Sequence, residues 1–452
     1  MIFTPLMDHQ HEPVDRAMEQ HTRRGFLQLG LFMFPGSGKS LVSLTIAELM
    51  GAKNILITSN KDNVLTTWPE QIARHTDMEC LVREREPVCM DTPTCYCINY
   101  DLLKECTKAY RNMQWDLWIG DESSEIKDPR TDRHKAVRFV TQDVLSRLIL
   151  NASLMTEKLE DIYGQIVFIG GEARLGRTFT MFRDRYMQPR QHCPGWIPKR
   201  SAFTLIQRAI KDVAFFLPDT GEVEMPEPIY KYITVPLTKE QRKIDEELKV
   251  TFAACFKDAE IETNYAPVVF QKRVQLCGGI FRPTDEPENY EAIPTEKLGV
   301  LVRLCHANPD AKIAVWHQYI PETQLLRDVL TESGITVTIA AGLSDKKKSE
   351  ILTAFEEMDT GVLLIRTSMS KGLNQLADVD IAVLYSNPFS YQQRAQLEGR
   401  SRRVSSITKQ TVYVDLVTEG GADALVYHSL THKKTLSLTL DSLAKLVEDT
   451  KP

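Results

Sequence analysis

Gly36-Ser37-Gly38-Lys39-Ser40 follows an apolar run, Phe26 to Phe34, and precedes a helical pattern, Leu41 to Met50. Strand, glycine turn, Lys-Ser and helix make a phosphate-gripping loop. The glycines turn backbone N–H groups toward phosphate oxygens, and the new helix adds its positive end. Lys39 is placed to reach the β- and γ-phosphates of a nucleotide, and Ser40 to hold Mg²⁺. Met33 stands where the usual pattern opens on glycine, so the match is to the second half of the motif.

A second stretch bears on the first. Asp116-Leu117-Trp118-Ile119-Gly120-Asp121-Glu122 reads as an apolar strand ending in two carboxylates, roughly eighty residues downstream. Ligands in parallel sheets collect at that edge of the strands. Asp121 would bind the Mg²⁺ held by Ser40, directly or through water, and Glu122 would orient and deprotonate the attacking water. The competing reading is a capped helix start, for which Asp-Glu-Ser also serves.

The first third alternates short apolar strands with helical patterns. The strands read as Ile55 to Thr58, Cys95 to Asn99, Leu117 to Gly120, Arg147 to Leu150 and Ile166 to Ile169. Alternation of this kind predicts a parallel sheet covered by helices. From Gly170 to Glu227, prolines and basic residues break the rhythm and predict a connecting region. Strand character resumes at Tyr230 to Pro236, and Lys239 to Cys277 is mostly helical. A second alternating unit begins near Lys297. Its strands are Lys312 to Trp316, Thr336 to Ala340, Val362 to Ile365, Ile381 to Tyr385 and Gln410 to Leu416, with a helix at Glu322 to Ser333. Leu436, Leu440, Leu443 and Val447 predict an amphipathic tail helix.

Bulk properties fit this layout. The chain has 452 residues, enough for two or three domains, with 42% hydrophobic and 26% charged residues. No run offers the roughly 18 apolar residues of a membrane span, and no basic region followed by an apolar core opens the chain. A cytoplasmic protein without membrane partners is expected. Nine cysteines favour reduced thiols. Cys80, Cys89, Cys95 and Cys97 cluster, but Cys95-Tyr96-Cys97 is too tight for a zinc knuckle. A net charge of −6 leaves room for a local basic groove.

Asp121-Glu122-Ser123-Ser124-Glu125-Ile126-Lys127-Asp128 resembles the Asp-Glu box of superfamily 2 helicases, and its Ile-Lys-Asp is similar to the Swi/Snf branch. Leu6-Met7-Asp8-His9-Gln10 resembles the family's adenine-reading Gln motif. Thr58-Ser59-Asn60 followed by Trp68, and Ile98-Asn99-Tyr100-Asp101, resemble its first DNA-contacting motifs. Ser368-Met369-Ser370-Lys371-Gly372-Leu373-Asn374 resembles motif V. Gln396-Leu397-Glu398-Gly399-Arg400-Ser401-Arg402-Arg403 resembles motif VI.

The resemblance implies an α/β fold of two tandem RecA-like domains, with ATP and Mg²⁺ in the cleft between them and nucleic acid across both. The boundaries it implies are 1–170 for the ATP-binding domain, 171–228 for an accessory linker, 229–296 for a helical protrusion and 297–452 for the second domain. It implies nucleic-acid contacts from Thr58, Ser59, Asn99, Tyr100, Ser370 and Lys371. Arg183, Arg185, Arg190, Lys199 and Arg200 either extend that surface or are ordinary surface charge. Gln396, Arg400 and Arg403 would act on the γ-phosphate as an arginine-finger motif; the other reading of this segment is a solvated basic helix. Compact proteins of this pattern are familiar from bacteriophages, which makes a viral source the expectation.

One motif departs. Where the family has Thr-Gly-Thr-Pro after an apolar strand, this chain has Asn151-Ala152-Ser153-Leu154-Met155. That motif links ATP state to domain closure. Two readings follow: a monomeric ATP-driven translocase or helicase on double-stranded DNA, and an ATP-gated clamp or adaptor with slow turnover.

Overall fold

The computed structural model describes residues 1–155, 158–189, 195–217, 228–257, 265–281, 290–340, 345–369, 376, 378–401 and 410–432. The described residues divide into two compact units, one within Met1–Val223 and one within Glu224–Lys434. Each is built on a parallel sheet with helices on both faces, the tandem RecA-like plan.

The first unit places β1 (Gln28–Met33), β2 (Asn54–Ser59), β3 (Glu79–Val82), β4 (Thr94–Asn99), β5 (Leu117–Gly120) and β6 (Arg147–Asn151) in one sheet. A small antiparallel pair, β7 (Met187–Pro189) with β8 (Trp196–Pro198), precedes the last strand, β9 (Ala214–Leu217). The sheet order is β3-β4-β2-β5-β6-β1-β9. Its strands read as apolar runs because both faces are covered. Successive residues enter opposite cores, as a period of two requires. Phe32, Leu56, Ile98, Trp118 and Ile149 join one cluster. Leu31, Met33, Ile57, Cys97, Ile119 and Leu150 join the other.

Two expectations change here. Ile166 to Ile169, read as a strand, instead finishes the helix Glu160–Ile166 and forms a short 3₁₀ turn, Val167–Ile169. A short, wholly buried apolar run looks the same in either conformation; Gly170, at φ 81°, ends it as a helix C-terminus does. The proline-rich stretch read as a connector also carries core. Phe182, Tyr186, Ile206, Ile210 and Phe216 are buried in the first cluster, and β9 pairs with β1 from Gly30↔Ala214 to Met33↔Leu217.

In the second unit, β10 (Ile229–Pro236) pairs in parallel with the last strand over eight residues. A two-residue pair, β11 (Ile280–Phe281) with β12 (Glu291–Ala292), lies between the long helices and the sheet strands in the sequence. The remaining strands are β13 (Lys312–His317), β14 (Val337–Ile339), β15 (Gly361–Arg366), β16 (Ile381–Leu384) and β17 (Val412–Glu419), in the order β10-β17-β16-β13-β15-β14. Alternation again splits neighbours: Ala314, Trp316, Leu363 and Leu384 face one core, Ile313, Val315, Leu364 and Val383 the other. Among the described residues no helix is long and apolar enough to cross a membrane. The expected tail helix over Leu436 to Val447 lies outside the described residues.

Candidate functional site

The turn after β1 carries the two glycines of the motif read from the sequence. Gly36 and Gly38 take φ values of 84° and 82°, where a side chain would be strained. Gly38 is the N-cap of the helix Lys39–Leu49, so Lys39 and Ser40 sit in its first turn. The Lys39 ammonium donates to the carbonyls of Met33 (2.7 Å) and Phe34 (3.1 Å). Ser37 is buried, with its hydroxyl unpartnered.

Gln10, on the helix Asp8–Arg24, braces this loop. Its amide Nε2 donates to the Ser37 carbonyl (2.9 Å), and His9 Nε2 donates to the same oxygen (3.0 Å). The Gln10 Oε1 accepts from Met7 N (3.0 Å). A methyl group on Gly38 would lie 2.1 Å from Gln10 Nε2 and would displace that amide from the loop, while the φ of 82° is what calls for glycine here.

The carboxylates stand at the same edge of the sheet, after β5. Asp121 Oδ2 accepts from Ser59 Oγ (2.7 Å), Trp68 Nε1 (3.0 Å) and Asn63 Nδ2 (3.2 Å). Asn63 and Trp68 are five residues apart. The segment Asn63–Thr67 is a π turn, and i→i+5 winding brings that spacing onto one face. Three donors on one oxygen fix the carboxylate, while Oδ1 takes no protein donor among the described residues. A carboxylate held this way suits a divalent cation or its water shell.

Glu122 follows at φ 50°, ψ 51°. For a residue other than glycine this left-handed conformation costs about 1–2 kcal/mol. Such strain persists only where the surroundings impose it. Here they do so from both sides. Tyr100 Oη donates to the Asp121 carbonyl (2.6 Å), and Ser123 Oγ donates to Gln165 Oε1 (2.7 Å).

Gln165 is a residue that sequence reasoning missed. Its Oε1 also accepts from Asn151 Nδ2 (3.1 Å), and its Nε2 donates to the carbonyls of Leu154 (2.8 Å) and Asp161 (2.9 Å). The turn after Glu122 and the loop after β6 are therefore joined through one buried amide. The helix Glu160–Ile166 lies so close to this turn that a methyl on Gly164 would meet the Lys127 carbonyl oxygen at 1.8 Å. Gln165→Leu leaves several buried groups unpaired, each costing about 1–3 kcal/mol. We expect it to lower unfolding free energy by at least ~2 kcal/mol in denaturant titration.

The residues expected on nucleic acid are placed differently. Thr58, Ser59, Asn99 and Tyr100 are buried. Thr58 Oγ1 accepts from Trp118 Nε1 (2.9 Å), Ser59 is committed to Asp121 and Tyr100 to its carbonyl. The Ser59 and Tyr100 hydroxyls hold the carboxylate turn in place from within. Burial pushes the Tyr100 phenol well above its usual range, which keeps it a donor. Arg183 pairs with Glu160 (2.7 Å) and lies over the rings of Phe179 and Trp196, and Lys199 caps the Asp184 carbonyl. Arg190 lies outside the described residues, while Arg200 is exposed.

In the second unit, Gln396 lies buried on the helix Tyr391–Ser401. That helix is anchored by Arg394, whose guanidinium spans Asp415 of β17 (2.5 and 3.0 Å) and meets Glu398 (2.6 Å). Ser370, Lys371 and Arg403, and the Arg400 side chain, lie outside the described residues.

Comparison with known proteins extends this picture. Residues 296–405 match the family model of the helicase conserved C-terminal domain, a span that includes the stretches read as motifs V and VI. The p41 protein of Acyrthosiphon pisum secondary endosymbiont phage 1 is 22% identical over 474 residues, covering 98% of this chain and 99% of that protein. A Methanocaldococcus jannaschii protein named as an ATP-dependent RNA helicase is 22% identical over 267 residues, 52% of this chain and 34% of its own. Among solved structures, the Sulfolobus solfataricus SWI2/SNF2 ATPase core in complex with dsDNA aligns over 100% of this chain and 96% of that one, at 16% identity and a TM-score of 0.46. The same core domain alone aligns over 96% and 90%, at 16% identity and 0.44. Residues 296–405 thus carry the likeness to a helicase C-terminal domain, and the chain as a whole is distantly similar to the phage p41 protein.

Proposed function

We propose that this protein is an ATP hydrolase that moves along nucleic acid, with duplex DNA as its track. The observation that carries the reading is that a glycine-turned Lys39-Ser40 loop and a clamped Asp121 with a strained Glu122 follow parallel strands at the same edge of the first sheet. The helicase C-terminal match in the second unit supports it.

Gln10 holds the phosphate loop in shape, and Gly36 and Gly38 let its backbone approach the phosphates. Lys39 exchanges the Met33 and Phe34 carbonyls for phosphate oxygens. Bound Mg²⁺, held by Ser40 and Asp121, would supply charge neutralisation at those oxygens. Glu122 takes the proton of the attacking water. Arg400 and Arg403, with Gln396, are the motif VI residues proposed to stabilise the developing charge. A phage source, as for the p41 relative, fits a compact motor of this length.

Movement is tested by displacement of a third DNA strand from a triplex. ATP-dependent displacement, absent with Lys39→Ala, is the expected result. Tight ATP-dependent DNA binding without displacement would replace the motor by an ATP-gated clamp.

A further inference from the structure

The first sheet has a second functional edge. β1 and β6 enter the sheet side by side at Gln28 and Arg147. This end lies opposite the phosphate loop; a strand the length of β1 puts the two roughly 17 Å apart. A cleft of about 790 Å³ opens here, lined by Gln28, Arg138, Arg147, Glu172, Arg177 and Arg185 among others.

Four arginines meet one carboxylate in this lining. Arg138 pairs with Glu172. The other three have no carboxylate partner among the described residues. Arg147 donates to the carbonyls of Val144 (2.6 Å), Phe168 (3.1 Å) and Gln142 (3.2 Å). Carbonyls orient a guanidinium without neutralising it. Burial, and then the charge of Arg138, push the Arg147 guanidinium below its usual range, so its charge is held there against a cost. Arg185 donates to the Arg174 carbonyl (3.3 Å) and lies over the Tyr186 ring (5.3 Å). Arg177 is exposed, and no hydrogen bond or ion pair engages it among the described residues. Like charges gathered in a concavity repel one another, and concentrate the field on an incoming anion. Guanidiniums also match phosphate in geometry, two N–H groups to two oxygens.

We propose that this cleft is a second phosphate-binding site, taking a ligand with at least two phosphate groups, either a free polyphosphate or successive phosphates of a nucleic-acid backbone. The site is independent of the ATPase reading, since it uses none of the residues of the phosphate loop.

The test uses the full chain carrying Lys39→Ala, which removes the loop's own phosphate grip. Binding of inorganic pyrophosphate and of a labelled duplex DNA is measured with and without Arg177→Glu/Arg185→Glu. Both side chains are exposed, and an unchanged melting temperature verifies the fold. We expect at least one probe to lose about tenfold or more in affinity. If that probe is DNA, the salt dependence of its binding becomes shallower by about two in log–log slope. Loss with pyrophosphate assigns the site to free phosphates, and loss with DNA alone assigns it to the backbone. Unchanged affinity for both probes overturns the proposal. So does an equal loss in Arg85→Glu, an exposed charge reversal outside the cleft.

Discussion

The Glu122→Gln protein is expected to bind ATP and to hydrolyse it on the order of 10²–10⁴-fold more slowly than the natural chain, the contribution of a positioned general base. Glutamine keeps the size of the side chain and leaves the backbone at φ 50° with the same neighbours. The donors on Asp121 and the Ser123–Gln165 bond are untouched. What is lost is the capacity to take a proton from water. Steady-state phosphate release, with nucleotide binding measured in parallel, separates this from a folding defect. Lys39→Ala should lose binding as well as rate, because in the proposed mechanism its ammonium would meet phosphate in both ground and transition states. A Glu122→Gln protein that released phosphate at the natural rate would remove Glu122 from the chemistry.

The second large effect is on stability. Arg394→Ala should destabilise the protein by about 3–5 kcal/mol, the cost of breaking a buried ion pair from one side. Arg394 is 7% and Asp415 2% exposed, so Asp415 would be left charged and dry. Asn387, which donates to Asp415 (2.8 Å), cannot replace a guanidinium. Arg394→Lys should rescue only part of the loss, since a point charge cannot span both carboxylate oxygens. Denaturant unfolding reads the effect. A loss below about 1 kcal/mol, the value of an exposed pair, would show that the network carries little of the fold. The functional consequence is local: this pair ties the helix bearing Gln396 to β17.

How far the sequence could be read depended on how locally each feature was determined. The placement of Gly36 through Ser40 and of Asp121-Glu122 at strand ends was legible because each directly follows a short apolar run. Most strands were legible because both faces of each sheet are buried, which writes continuous apolar runs. Ile166 to Ile169 was misread because such a run carries no period. The donors on Asp121 were hidden by spacing: Asn63 and Trp68 share a face only in a π turn, a winding that no residue pattern announces. Gln165 was hidden by distance, fourteen residues beyond Asn151 in a helix that looks unremarkable alone. Arg394 left a usable trace. Asp415 interrupts the apolar strand Val412–Glu419, and a carboxylate in such a strand requires a cation. The hydroxyls of Thr58, Ser59 and Tyr100 show the opposite case. Their motif pointed to nucleic acid; in the structure the Ser59 and Tyr100 hydroxyls bond Asp121 and the Thr58 hydroxyl accepts from Trp118.

The most direct test is the ATPase rate of the full chain against single- and double-stranded DNA and RNA. Stimulation greatest with duplex DNA, and lost in Glu122→Gln, is the predicted result. A rate that no nucleic acid changes would contradict the motor reading, and stimulation by RNA alone would move the track from DNA to RNA.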